Sequence, residues 1–294
     1  MDFNRNSNNR YGPDGCFDPT HAANAGLESI WCDSCPLKML HESKYAFMSR
    51  ADFWIAASCG VIHHTSGGEL DLIDTFRWGR SDRDTCQGSG ERLPAPTGCD
   101  NIEETFIDRM GLTYADAVAL MGGHTLGRGD TDFSGHNGVW VANNQEAQKF
   151  DKTYYEQIFL NAWRPRTKDW GSKQDWTTGR DTSDESGRVM LNTDICLVYD
   201  IEDYMDDEDK CCTRTDQTYA NGENKCVDRE AARERCPMYS ANNPRFAMRQ
   251  AVGNMLGGPP PNLNNAPFYA AFETAWAKAT RVGVQGLKVL DESC

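Results

Sequence analysis

Thr113-Tyr-Ala-Asp-Ala-Val-Ala-Leu-Met-Gly-Gly-His-Thr-Leu-Gly-Arg128 decides how this chain is read. It begins as a helix should. Thr113 can cap, and Asp116 three residues later can close a capping box and favour the positive helix end. Ala117, Val118, Leu120 and Met121 then give an apolar helical surface. Gly122 and Gly123 end the helix and clear space behind it. His124 follows at once, with no bulky neighbour before it, so a large flat group could approach its ring. Local physics alone favours a plainer reading, a helix C-cap with an ordinary buried histidine. A phosphate-binding loop fits poorly, because no Lys-Ser/Thr pair follows the glycines. Arg128-Gly-Asp130 spells an adhesion tripeptide of a length that recurs by chance.

Val118 to Arg128 resembles the proximal-histidine segment of the plant, fungal and bacterial haem peroxidase superfamily. The resemblance runs, with gaps, from about Gly12 to about Gly283. Gly79-Arg80-Ser-Asp82 and Leu93-Pro-Ala-Pro-Thr97 resemble two loop segments of the family, in the family's order. Gly138-Val-Trp140-Val-Ala-Asn143 and Phe150-Asp151-Lys-Thr-Tyr-Tyr155 resemble the intracellular branch, which includes ascorbate and cytochrome c peroxidases. Met190 to Val198 matches a Leu-Pro-Thr-Asp segment, with Asn192 in place of proline. Residues 267–282, with Phe268, Phe272, Trp276 and Val282 on one face, resemble the terminal helix.

The resemblance implies a mainly α-helical, two-lobed fold in one domain, with haem b between the lobes. The distal lobe would span roughly residues 1–100 plus the helix 267–283, and the proximal lobe roughly 101–266. His124 would be the axial ligand of haem iron. Asp194 would hydrogen-bond its far ring nitrogen, fixing the tautomer and making the imidazole more basic. Read without the family, Asp194 is a helix N-terminal charge. Trp140 would lie beside His124, packing or carrying a radical. Thr125, Asn143 and Asp151 match oxygen ligands of a proximal cation, calcium or potassium. Asp2, Gly12 and Asp14 match a distal calcium site. Cys16 replaces its hydroxyl ligand, which favours a disulfide there. Asn24 matches the asparagine that accepts a proton from the distal histidine and keeps that ring basic.

The family's distal Arg-x-x-Phe-His-Asp motif moves peroxide's proton and stabilises the departing charge. It is not found in the sequence. Aligning Asp2-Phe3 with the residues after the distal histidine puts Met1 on the histidine, which reads as an N-terminally incomplete chain. As it stands the polypeptide should react poorly with peroxide. The implied function is oxidation of small organic reductants by hydrogen peroxide. The rival reading is a catalytically impaired, extracellular structural or binding protein on the same scaffold.

Composition narrows the setting. A net charge of -14 over 294 residues argues against nucleic acid and anionic membranes as partners. No apolar run approaches the ~20 residues that span a bilayer. The polar start, Met1 to Arg10, is no signal peptide. Twelve cysteines nevertheless point to disulfides, an oxidising compartment and secretion. Cys32-Asp-Ser-Cys35 and the cysteines of an acidic insertion at 201–245 offer a zinc or redox reading, but no second pair stands at zinc spacing. We expect structural disulfides, with Cys86 bridged to Cys99 across a short loop. Asn24 to Trp31 should be helical, and Ser49 and Asp52 should form a second capping box. Residues 76–82 and 163–187 should be loops, the second containing a short hairpin at most. Phe246 to Met255 should form a helix.

Overall fold

Both capping motifs start helices, but only one closes as a box. The Thr113 hydroxyl accepts the Asp116 N–H at 3.2 Å, and the Asp116 carboxylate accepts the Thr113 N–H at 3.0 Å. At the other motif the Ser49 hydroxyl accepts the Asp52 N–H. Asp52 does not return the bond. Its carboxylate accepts from the Gly79 N–H and pairs with Arg80 at 2.6 Å, both side chains buried. A fully buried ion pair outcompetes a solvent-side cap, because each charge would be costly alone.

The computed structural model describes residues 3–6, 12–86, 88–167, 174–178, 187–204, 211–228, 231–232, 234–258 and 262–290. The fold is mainly α. The helices are α1 (Pro36–Lys44), α2 (Arg50–Thr65), α3 (Asp100–Ile102), α4 (Tyr114–Met121), α5 (Thr153–Leu160), α6 (Asn192–Ile195), α7 (Phe246–Met255) and α8 (Ala266–Ala279). A π-helical segment, Glu103–Arg109, follows α3. The strands are short: β1 (Arg77–Trp78), β2 (Arg164–Thr167), β3 (Gln174–Thr177), β4 (Cys211–Cys212), β5 (Val227–Asp228), β6 (Ala231–Ala232), β7 (Glu234–Arg235) and β8 (Lys288–Val289). They form two-stranded pairs, antiparallel except for β4 with β7. Among the described residues no helix is long and apolar enough to cross a membrane.

The chain divides into two compact units. The first holds residues 1–94, 105–112 and 273–294. Here α2 buries Phe53, Ile55, Cys59 and Ile62. Asp82 accepts the N–H groups of Arg50 and Ala51 and so caps the helix from a distant loop. Residues 76–82 are therefore not all loop: Arg77 and Trp78 pair with Val289 and Lys288. Helix α1 has no counterpart in the sequence reading, although Pro36 at its first position is a recognised start signal. Asn24 to Trp31 makes two 3-10 turns, Ala22–Asn24 and Leu27–Ser29, rather than a helix. Gly26, at φ 87°, separates them.

The second unit holds residues 95–104 and 113–272. Helix α4 packs against α7, which buries Met248, Ala251, Val252 and Met255. Phe246–Met255 is helical as the sequence indicates, and residues 163–187 contain the β2–β3 hairpin. A buried network missed in the sequence pins that hairpin. Asp175 of β3 receives Arg166 Nε at 2.6 Å and His136 Nδ1 at 2.9 Å. Two further bridges, Val139 with Arg188 and Trp176 with Met190, extend the clamp towards Trp140 and α6.

Five disulfides join described residues: Cys16–Cys86, Cys32–Cys35, Cys99–Cys196, Cys211–Cys236 and Cys212–Cys226. The expected Cys86–Cys99 bridge is wrong, since each of these cysteines finds a partner far away in sequence. The insertion at 201–245 is disulfide-stapled, yet its four cysteines are buried rather than lying on the surface. Thr213 explains this: its N–H donates to the Trp163 carbonyl, and its hydroxyl accepts the Trp163 N–H. Among the described residues Cys59 is the free thiol.

Gly122 is glycine for space. Its backbone is ordinary helical, at φ -58°. A Cβ there would stand 2.3 Å from the Tyr155 hydroxyl and 2.5 Å from the Phe268 ring. That hydroxyl donates to the carbonyl of Val118 at 2.9 Å, serving the open end of α4. Gly122→Ala should therefore lower stability by about 1–3 kcal/mol through overpacking, read by urea unfolding. Gly123→Ala, whose Cβ would meet nothing within 4 Å, should stay within roughly 1 kcal/mol of wild type.

Candidate functional site

The end of α4 carries His124 into a buried hydrogen-bonded polar group of the second unit. A 3-10 turn, Gly122–Thr125, continues the helix and fixes the histidine backbone. Helix α6 brings Asp194 opposite. His124 Nδ1 and Asp194 Oδ1 are 2.7 Å apart. The Tyr154 hydroxyl donates to the same oxygen at 2.6 Å. The other oxygen accepts Trp140 Nε1–H and the Leu191 N–H, each at 2.7 Å. Asp194 is fully buried, whereas the His124 side chain is 35% exposed. Trp140 stacks on the imidazole with ring centres 4.7 Å apart, and Tyr154 meets it edge-on at 5.9 Å.

Four donors on one carboxylate set its charge. Burial is the largest influence on Asp194 and pushes its pKa up. The His124 charge and the hydrogen bonds from His124, Tyr154 and Leu191 outweigh it, so the net direction is down. Burial, then the Asp194 charge, push the Tyr154 hydroxyl well above the usual phenol range. Tyr154 thus stays a donor and Asp194 an anion. With Nδ1 occupied by the carboxylate, Nε2 is the ring's remaining nitrogen, and no described residue bonds it.

These residues fit a haem iron on the His124 side. The imidazole has one nitrogen anchored and one available on its partly exposed edge, and neighbouring Gly123 would present even a Cβ to open space. A metal-binding histidine ordinarily donates its other ring N–H to an acceptor such as a carboxylate, a backbone carbonyl or a water.

The other expected site residues separate. Thr125 Oγ1 lies 3.3 Å from Asp151 Oδ1, and it also donates to the Lys149 carbonyl. Asn143 does not join them: its Oδ1 accepts the N–H groups of Gln145 and Glu146 in its own turn. Among the described residues no group of three His, Cys, Asp or Glu side chains is arranged to hold a metal ion.

In the first unit, Asp14 Oδ1 accepts the Cys16 N–H, and Oδ2 pairs with Arg83 at 3.4 Å. Cys16 is disulfide-bonded, as its replacement of a hydroxyl ligand suggested. Gly12 serves a close backbone approach, since a Cβ there would stand 2.8 Å from the Val282 carbonyl oxygen. Asp2 lies outside the described residues. Asn24 donates from its amide nitrogen to the Asp18 carbonyl, leaving Oδ1 as an acceptor. With Trp54 and Trp276 it lines a cavity of about 280 Å³ in that unit.

Tyr154 is the site residue that sequence reasoning passed over. Its signal is the Tyr154-Tyr155 pair at the start of a helix. Neighbours on a helix point about 100° apart, so one hydroxyl serves Asp194 and the other serves α4.

Two outcomes follow for Asp194. Its folded pKa lies below the ordinary 3.8, so its stabilisation is complete above about pH 4 and is lost as pH falls through the lowered value. Urea midpoints between pH 5 and pH 2 should therefore fall more steeply for wild type than for Asp194→Asn. Tyr154→Phe should cost about 1.5–3 kcal/mol at pH 7 by removing a charged buried hydrogen bond.

A family model described as Peroxidase matches residues 18–205. L-ascorbate peroxidase 3 of Arabidopsis thaliana is 34% identical over 151 residues, covering 50% of this chain and 48% of that protein. The mitochondrial cytochrome c peroxidase of Pyricularia oryzae is 29% identical over 208 residues, covering 68% and 51%. A Gibberella zeae protein whose name marks it as a candidate heme-binding peroxidase is 34% identical over 197 residues, covering 66% and 54%. The chain spans about half the length of the curated relatives it matches. By the extent of the family match, this chain belongs to the peroxidase family.

Proposed function

We propose that the protein is a haem-dependent peroxidase that oxidises small organic reductants with hydrogen peroxide. The observation that carries this reading is His124, held at Nδ1 by a buried carboxylate and unpartnered at Nε2 among the described residues. Haem b, when bound, supplies an iron and a porphyrin that together store the two oxidising equivalents of one peroxide. His124 Nε2 would hold the iron. Asp194 raises the electron-donating power of the imidazole, which favours the higher oxidation states of a ligated iron. Tyr154 and Trp140 share that carboxylate and so moderate the effect. Trp140 also packs flat on the imidazole and limits its rotation. Asn24, with Oδ1 left as an acceptor, suits the role of orienting a proton-shuttling histidine. The family supplies that histidine from a motif without a counterpart in these 294 residues.

The family relationship and the names of the relatives support haem and peroxide as partners. Calcium or potassium has thinner support, from Thr125 and Asp151 alone. Five disulfides support folding in an oxidising compartment and secretion. They also favour a second reading, a disulfide-stapled, catalytically impaired extracellular structural or binding protein on the same scaffold.

Haem titration separates the possibilities. The purified chain should take up one haem and give a Soret band that is lost in His124→Ala. Asp194→Asn should keep haem and raise the midpoint potential of the iron, because a less basic ligand favours the reduced state. Peroxide-dependent oxidation of guaiacol that disappears in His124→Ala supports the enzyme. Because the distal motif has no counterpart in the sequence, that rate should be low; haem binding with no detectable turnover supports the second reading, and no haem uptake rejects the haem peroxidase.

A further inference from the structure

We propose that the Cys32–Cys35 disulfide is a thiol–disulfide exchange site, whose substrates are low-molecular-weight thiols or the dithiol of a partner protein. The bridge joins residues only three apart in sequence, against 14, 25, 70 and 97 for the other four. A staple removes less chain entropy the shorter the loop it closes. As a structural device it is the weakest of the five.

Its surroundings suit both redox states. Cys32 is half-exposed, and the residues between the cysteines, Asp33 and Ser34, are exposed. Cys35 is buried. An incoming thiolate therefore has access to one sulfur and is shielded from the other. The Ser34 hydroxyl stands 3.5 Å from Cys32 Sγ, where it can donate to a thiolate. Cys35 Sγ lies 3.1 Å from the Ser29 carbonyl oxygen and 3.4 Å from that of Glu28. The oxidised sulfur has no proton to give these acceptors, but a thiol has one. The reduced form thus finds hydrogen-bond partners already in place. Half-buried Lys38 pairs with Asp33 between the two cysteines, and Trp31 packs against His41, Phe53 and Trp54.

The exchange balances. A thiolate RS⁻ attacks Cys32 Sγ, the Cys32–Cys35 bond breaks, and Cys35 leaves as a thiolate that takes up the proton lost by RSH. A second RSH attacks the mixed disulfide, releasing RSSR and leaving Cys32 as a thiol. Two electrons and two protons pass from two thiols to the protein, and the reverse reaction oxidises a dithiol.

The test uses the native full chain in dithiothreitol at increasing ratios of reduced to oxidised reagent. Aliquots are alkylated with iodoacetamide and mapped by peptide mass spectrometry. Cys32 and Cys35 should label roughly tenfold faster than the cysteines of the other four disulfides, with near-ultraviolet circular dichroism unchanged. In Cys35→Ser, oxidised glutathione should add one glutathione at Cys32, located by peptide mapping. Opening of Cys32–Cys35 only together with Cys99–Cys196, or only as the dichroism signal collapses, would overturn the proposal. So would a folded Cys35→Ser chain that forms no adduct. The wild-type labelling order decides the matter even where the variant fails to fold.

Discussion

A single carboxylate without access to water organises the second unit. Asp194 receives donors from a turn after α4, from α5, from the segment carrying Trp140 and from its own helix start. A buried anion is tolerated only when its lone pairs are satisfied. Each of the four elements is thereby held to a common point within hydrogen-bond tolerance. Of the three side chains that reach the carboxylate, Tyr154 is fully buried, whereas His124 and Trp140 are partly exposed. The chemistry of the exposed imidazole edge is set by a charge placed where solvent cannot screen it.

What could be read in the sequence divides by range. The Thr113–Asp116 box depends on residues three apart and was fully legible. Asp52 has the same local pattern, but its carboxylate goes to Arg80, 28 residues away, and local rules are silent about such competition. The Asp194–His124–Trp140 group was legible only through the resemblance, because pairs 70 and 54 residues apart leave no periodic trace. Cysteine pairing failed for the same reason, since proximity in sequence predicted Cys86–Cys99 and the fold chose otherwise. The His136–Asp175–Arg166 network had no signal at all: its members are ordinary polar residues until the hairpin folds them together.

The glycines show how one residue type serves separate purposes side by side. Gly122 makes room for a tyrosine hydroxyl and a phenylalanine ring, so its smallness is used inwards. Gly123 faces nothing, so its smallness is left for whatever comes to the histidine. Gly12 serves neither purpose and permits a backbone-to-backbone approach at φ 145°. A sequence shows three glycines in motifs, and only packing tells a filled space from an open one.

Cys196 closes α6 two residues beyond Asp194 and is tied to Cys99, a span of 97 residues. The anchor of the carboxylate is thus a covalent bond that exists only after oxidation. A newly made chain carries the correct acid before it carries the acid's address. Oxidation of this pair thus fixes the backbone on which the carboxylate sits.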